Sequence, residues 1–425
     1  SFYKKCYRVI GTIVFLLGII IIPFLSFFIK NMDEIENIYL IYGLYLFNSA
    51  SSYFISYKQT LIVADQKKYK LNKISLLVLV FRNIIEIAIL LIYKNYILYL
   101  IVQIITNFIE RVIINYFVTN QYKNINFKSK NKIDDSDKKQ ITTNVKAMIF
   151  HKAGDYCVNG TDNLIISSYI DVSTVGIYSN YLTIIQLLNS FTSVIFSSLT
   201  ASLGNLVAME VDDKKEEVFN KINFVTLLVF GLLTLILVNI FNDFIKLWIG
   251  DTYCFESIVV IFISINFYLR GLRVLSALLK EASGMYDIDK YSPIIQAVVN
   301  LVASIILVQH IGVLGVVIGT TLSSLVLPNW LKPYLVYKYI LHKPCKKYFL
   351  KLIKFTMILF GLTGFIVFIF SKIIINSLII TIILKLIVCC LLFFATFFIL
   401  YKDAPEMKFF TDFIFVIINR LKGDK

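Results

Sequence analysis

Runs of roughly 20 apolar residues, the length a helix needs to cross the hydrocarbon core of a bilayer, recur along nearly the whole chain. "YRVIGTIVFLLGIIIIPFLSFFI" and "VFNKINFVTLLVFGLLTLILVNIF" are two of twelve such runs, at about 7–29, 38–57, 71–93, 95–118, 146–170, 174–209, 218–241, 257–280, 292–309, 311–340, 349–371 and 374–401. With 58% hydrophobic residues, 16% charged and a mean hydropathy of +0.77, the 425-residue chain holds more apolar surface than a soluble interior can bury. The expected fold class is therefore all-α, a polytopic membrane protein with about twelve transmembrane helices in this sequence.

The formal net charge of +15 raises the question of nucleic acid, and the placement of the charges answers it. Most Lys and Arg fall in alternate connections, around 1–8, 58–73, 119–146, 214–221, 280–290, 338–354 and the tail, while Lys30, Lys94, Lys246 and Lys372 fall in the others. That alternation is the positive-inside pattern, so both termini are expected in the cytoplasm, with anionic membrane lipids as partners and no nucleic acid. The clusters at 119–146 and 214–221 both belong inside, and the strong run 174–209 gives only one crossing between them. The weakly apolar stretch "FHKAGDYCVNGTDNLIISSYI" at 150–170 must supply the second.

Six cysteines carry no CxxC or ligand spacing, and three histidines form no cluster. No metal, cofactor or catalytic residue is expected.

Shifting the chain by about 218 residues lays 7–29, 38–57, 71–93 and 95–118 over 218–241, 257–280, 292–309 and 311–340. Connections follow: "YKQTLIVADQKKY" (57–69) lies over "LSALLKEASGMYDIDKY" (275–291). Six spans per repeat is an even number, so two lobes of equal orientation are expected, related by an axis along the membrane normal. On this reading 1–145 is a partial first lobe with a cytoplasmic linker, its helices equivalent to the third to sixth of a full lobe. Residues 146–342 form the second lobe, 343–402 two extra terminal helices and 403–425 a cytoplasmic amphipathic tail. The first-lobe partners of 146–170 and 174–209 would precede Ser1, which makes fourteen helices the expectation for a complete protein.

The strings "DVSTVGIYSNYLTIIQLL" (171–188), "YKQTLIVADQKKY" and "IGVLGVVIGTTLSSLV" (311–326), with this span pattern, resemble the polysaccharide flippases of the multidrug/oligosaccharidyl-lipid/polysaccharide exporter superfamily, of the O-antigen and capsule type. The resemblance covers nearly the whole chain apart from the first two helices. It implies a bacterial plasma-membrane protein exporting a polyprenyl-diphosphate-linked oligosaccharide for cell-surface polysaccharide biosynthesis, with polysaccharide polymerase machinery as a further candidate partner.

Polar residues inside the spans point to where such a substrate would sit. On a helical wheel His151, Lys152, Asp155, Asn159, Asp162 and Asn163 share an arc of roughly 160°. Charges inside a bilayer are costly unless they face water or a partner, so this face is expected to line a cavity between the lobes, with Asp155, Asp162, Asn159 and His151 as candidates for ion coupling. His151 and Lys152 have an alternative place at the cytoplasmic interface. In 257–280, Asn266, Arg270, Arg273 and Lys280 recur on one face with no acid in the span. A guanidinium fork suits phosphate oxygens, which makes Arg270 and Arg273, with Lys152, the candidate diphosphate site. The alternative has Arg273 reaching the interface and Arg270 paired with an acid elsewhere.

Arg82 and Glu86 are spaced to pair with each other. Glu110 and Arg111 either gate the cytoplasmic side or end their span. Gln186, Ser190, Ser193, Ser197 and Thr200 form an uncharged stripe that suits helix packing and sugar binding equally. Lys385 stands alone in its span with no evident role.

The expected activity is transport by alternating access, without an enzyme's chemistry; there is no Walker motif, so energy must come from an ion, the membrane potential or the substrate gradient. Two rivals are a multidrug exporter of the same superfamily, disfavoured by the cationic stripe, and a membrane-embedded polysaccharide polymerase or acyltransferase. The longest external connection, about 242–256, carries no catalytic dyad such an enzyme would need.

Overall fold

A computed structural model describes residues 2–122 and 160–421, apart from 31, 33–34, 56–57, 66, 286–287, 290 and 374–376. The described residues are helical throughout, with no strand. We label the main helices α1 (Phe2–Ile21), α2 (Ile38–Ile55), α3 (Lys68–Ile92), α4 (Tyr96–Gln121), α5 (160–169), α6 (Val172–Ser197), α7 (Thr200–Met209) and α8 (Asp212–Trp248). Then follow α9 (Ser257–Ala282), α10 (Ser292–Ile311), α11 (Val313–Val326), α12 (Pro328–Tyr339), α13 (Lys346–Lys372), α14 (Leu378–Tyr401) and α15 (Pro405–Leu421).

Among the described residues, nine helices are long and apolar enough to cross a membrane, and ten if the bent pair α6 and α7 forms one span. That pair bends by 42°. Of the twelve expected spans, the two outside this count are 38–57, where α2 forms, and 146–170, of which only the second half lies among the described residues. His151, Lys152, Asp155 and Asn159 lie outside them. The chain is a polytopic all-α membrane protein.

Local signals set the helix ends. Asn95 caps α4 by accepting from Leu98 N at 3.0 Å, and Asp171 caps α6 by accepting from Thr174 N at 2.6 Å, satisfying donors that a helix start leaves open. The long run 311–340 is broken at Leu327 because Pro328 has no N–H to continue the ladder; it serves instead at the first turn of α12.

The chain forms two compact units, 1–142 and 143–425, and the same neighbour relations recur in each. In the first, α1 packs on α2, α2 on α4 and α3 on α4. In the second, α8 packs on α9, α9 on α11 and α12, and α10 on α11. These pairs correspond under the shift of about 218 residues read from the sequence.

Tightest of all is α10 against α11. Gly312, at φ +58°, turns the chain between them, and a Cβ on Gly315 would stand 2.4 Å from the Leu307 carbonyl carbon. One on Gly319 would stand 2.8 Å from Ser304 N. Two glycines one turn apart thus let the backbones touch, the usual means of close packing where lipid offers no hydrophobic drive between helices.

In the second unit α8 is central: 67% of its most apolar stretch is buried, against 11% for α14 at the edge. It is covered by α9, α13, α14 and α15, with Phe224, Phe355, Phe393 and Phe397 among the buried side chains. The terminal helices pack on α8 and belong to the compact unit 143–425. Lys385 has a partner there, with its Nζ 2.6 Å from Asp243 Oδ2 on α8.

Candidate functional site

The apolar second unit encloses a polar cavity of about 650 Å³, lined from α5, α6, α9, α10, α11 and α12. Its charged lining residues are Asp162, Arg270, Arg273, Glu281 and Lys332. Arg270 and Arg273 lie about one turn apart on α9 and face the same space because three residues nearly complete a helical turn. Lys332 joins them from α12, past the break at Pro328. In the sequence it lies within the run 311–340 and nothing singles it out.

Lys280 does not belong to this group. It is buried and ion-paired with Asp289 in the connection after α9, so the expected four-residue stripe ends at Arg273. The pairing satisfies an ammonium that burial would otherwise leave costly. Asn266 lines the cavity but is partly committed to packing: its Nδ2 donates to Val317 O at 3.0 Å and its Oδ1 accepts from Thr321 Oγ1 at 2.8 Å.

Asp162, on α5, is 5% exposed. Its Oδ2 accepts from Thr320 Oγ1 at 3.1 Å and from Tyr178 OH at 3.4 Å, while its Oδ1 has no hydrogen-bond partner among the described residues. Thr320 in turn accepts from Asn300 Nδ2 at 2.9 Å. A carboxyl group, two hydroxyls and an amide from four helices thus converge. Sequence reasoning finds the carboxylate and misses the rest, because a Thr, a Tyr or an Asn in an apolar run has many structural uses.

The α6 stripe divides. Gln186, Ser193 and Ser197 line the cavity together with Asn189, whereas Ser190 turns back to bond Gln186 O at 2.8 Å and Thr200 bonds Ser197 O at 2.8 Å.

In the first unit the polar residues are knitted to one another. Arg82 lies 3.6 Å from Glu86 and donates to Asn107 Oδ1 at 2.8 Å; Asn107 lies 3.4 Å from Asn48 Oδ1. Arg111 donates to Ser51 Oγ at 3.0 Å, and Glu110 accepts from Ser75 Oγ at 2.5 Å. These bonds link α2, α3 and α4, and each of the four charged residues has a neighbour within its own unit.

Residues 5–254 match the sequence profile of the family described as polysaccharide biosynthesis protein. The chain belongs to this family. The fold of this polysaccharide biosynthesis protein is similar to that of a solved structure, the lipid II flippase MurJ in an inward closed conformation. The TM-score is 0.61 at 14% identity, over 95% of this chain and 84% of that one. At such an identity the likeness is one of fold. Comparison with curated protein sequences gives no match.

Proposed function

We propose that this polysaccharide biosynthesis protein is a flippase: it moves a polyprenyl-diphosphate-linked oligosaccharide from the inner to the outer leaflet of the bacterial plasma membrane by alternating access. The observation that carries the reading is the cluster of Arg270, Arg273 and Lys332 on one polar cavity inside an apolar helical unit. Two guanidinium groups and an ammonium that share one cavity offer several donors at once, and a diphosphate offers oxygens that match the guanidinium fork. Family membership and the MurJ-like fold support transport of a lipid-linked precursor. The polyprenyl tail would remain in lipid while the diphosphate and sugars occupy the cavity.

Asp162 is the proposed coupling group. A buried carboxylate with one unbonded oxygen, ringed by hydroxyls and an amide, is stabilised by a proton or a small cation. Its uptake and release would link the gradient to the transport cycle.

The test is surface polysaccharide normalised to membrane-inserted protein in cells that depend on this chain. Arg270→Ala with Arg273→Ala should abolish export while leaving the protein inserted, and the Arg→Lys pair should restore only part of it, keeping charge without the fork. Wild-type export per molecule in the double Ala variant would overturn the reading.

A further inference from the structure

On the assumption that the cavity receives a lipid-linked diphosphate, its opposite wall speaks to what is attached. Among the described residues every cation lining the cavity comes from α9 or α12, whereas the polar groups that α6 contributes, beside the apolar Leu182, Ile185 and Phe196, are uncharged: Gln186, Asn189, Ser193 and Ser197, with Tyr178 further along. Ser197 Oγ turns back to Val194 O at 3.4 Å and Tyr178 OH bonds Asp162, but the other three are not consumed by packing. Gln186 and Ser193 are exposed to the cavity, and neither they nor the sequestered Asn189 Oδ1 make a side-chain hydrogen bond to the described residues. A polar stripe that served helix packing would have its amides bonded across an interface, as Asn266 is to Val317 and Thr321.

Depth agrees with this. α6 and α9 run in the same direction, separated by the single crossing of α8, and Gln186 and Arg270 each lie about 20 Å from the start of their helices. A group joined directly to a diphosphate held on Arg270 and Arg273 would therefore face the amides of Gln186 and Asn189. Primary amides donate and accept at once, which suits hydroxyl and acetamido groups, each of which does the same. Among the described residues no cation on α6 lines this wall to balance a carboxylate.

We propose that the α6 wall is a glycan-selective surface which reads an uncharged, hydroxyl- or acetamido-bearing sugar next to the diphosphate and rejects a uronic acid at that position. The surface makes the flippase a filter for the first sugar of its cargo.

The test measures binding of three probes to the purified full chain in nanodiscs: a bare polyprenyl diphosphate, the same lipid carrying an N-acetylhexosamine, and the same lipid carrying a hexuronic acid. The neutral sugar should tighten binding about tenfold over the bare lipid, and the uronic acid should not. Gln186→Ala with Asn189→Ala should erase the tenfold gain and leave the bare lipid's affinity as it was. Gln186→Arg, which puts a cation on the wall, should raise affinity for the uronic acid probe and covers the case in which the double variant fails to fold. The proposal is overturned if the neutral sugar adds nothing in the wild type, or if its advantage survives in the Ala variant. If none of the probes binds, and Arg270→Ala with Arg273→Ala leaves export unchanged, the flippase reading itself has failed.

Discussion

Lys385 on α14 and Asp243 on α8 form an ion pair at 2.6 Å across 142 residues of sequence. Each side chain is mostly shielded, so neither charge is well solvated without the other. Lys385→Met should strand Asp243 and lower the midpoint of thermal unfolding in detergent, by about 1–3 kcal/mol of stability. Adding Asp243→Asn should return more than half of the loss. A single variant as stable as the wild type would show the pair to be dispensable.

Gly315→Ala should be among the most damaging single-carbon additions in the chain, because its Cβ would meet the Leu307 backbone, which has no flexible end to move aside. The expected cost is about 2 kcal/mol or more, read as lost membrane-inserted protein. Gly361→Ala, with nothing within 4 Å of the added carbon, is the control and should be neutral.

Asp162→Asn should remove the dependence of export on an ion gradient while the protein still inserts, because the amide retains shape and hydrogen bonding but binds neither proton nor cation. Gradient dependence that persists unchanged in Asp162→Asn would rule out the coupling role.

Asp65, in the connection before α3, is held below the usual carboxylate range by hydrogen bonds from Lys67 and Tyr122. A depressed carboxyl contributes stability that is present above its unfolded value, about 3.9, and is lost as pH falls through the lower folded value. Limited proteolysis of the 58–67 connection should therefore accelerate below about pH 4. Asp65→Asn should show the faster cleavage already at pH 7 and little further change on acidification.

How much of this was legible beforehand depended on whether the signal was local. Span positions came from apolar runs because helix length acts within one segment, whereas 174–209 and 311–340 were read as unbroken and the breaks near Ser198 and at Pro328 were not anticipated. Arg270 and Arg273 share a cavity because helical periodicity put them on one face. Lys385 had no readable role because its partner lies on another helix, and Lys280 was misplaced because Asp289 reaches it from a connection. Lys332, Asn300 and Thr320 were invisible for a related reason. Each acquires meaning only when three or four helices bring it to the same space, and no spacing rule within one helix encodes that convergence.

The length of α8 gives it mechanical reach. At 37 residues it extends about 55 Å, well beyond the hydrocarbon thickness, and its first turns hold the far end of α12. His342 Nδ1 lies 3.1 Å from Asp212, Lys343 pairs with Asp213, and Tyr337 OH donates to Asn220 at 3.1 Å. The start of α8 is thus fastened to the last turn of α12 and to the connection that follows it. Lys332 sits on the same short helix, so one 12-residue element joins the cavity wall to the end of the longest helix among the described residues.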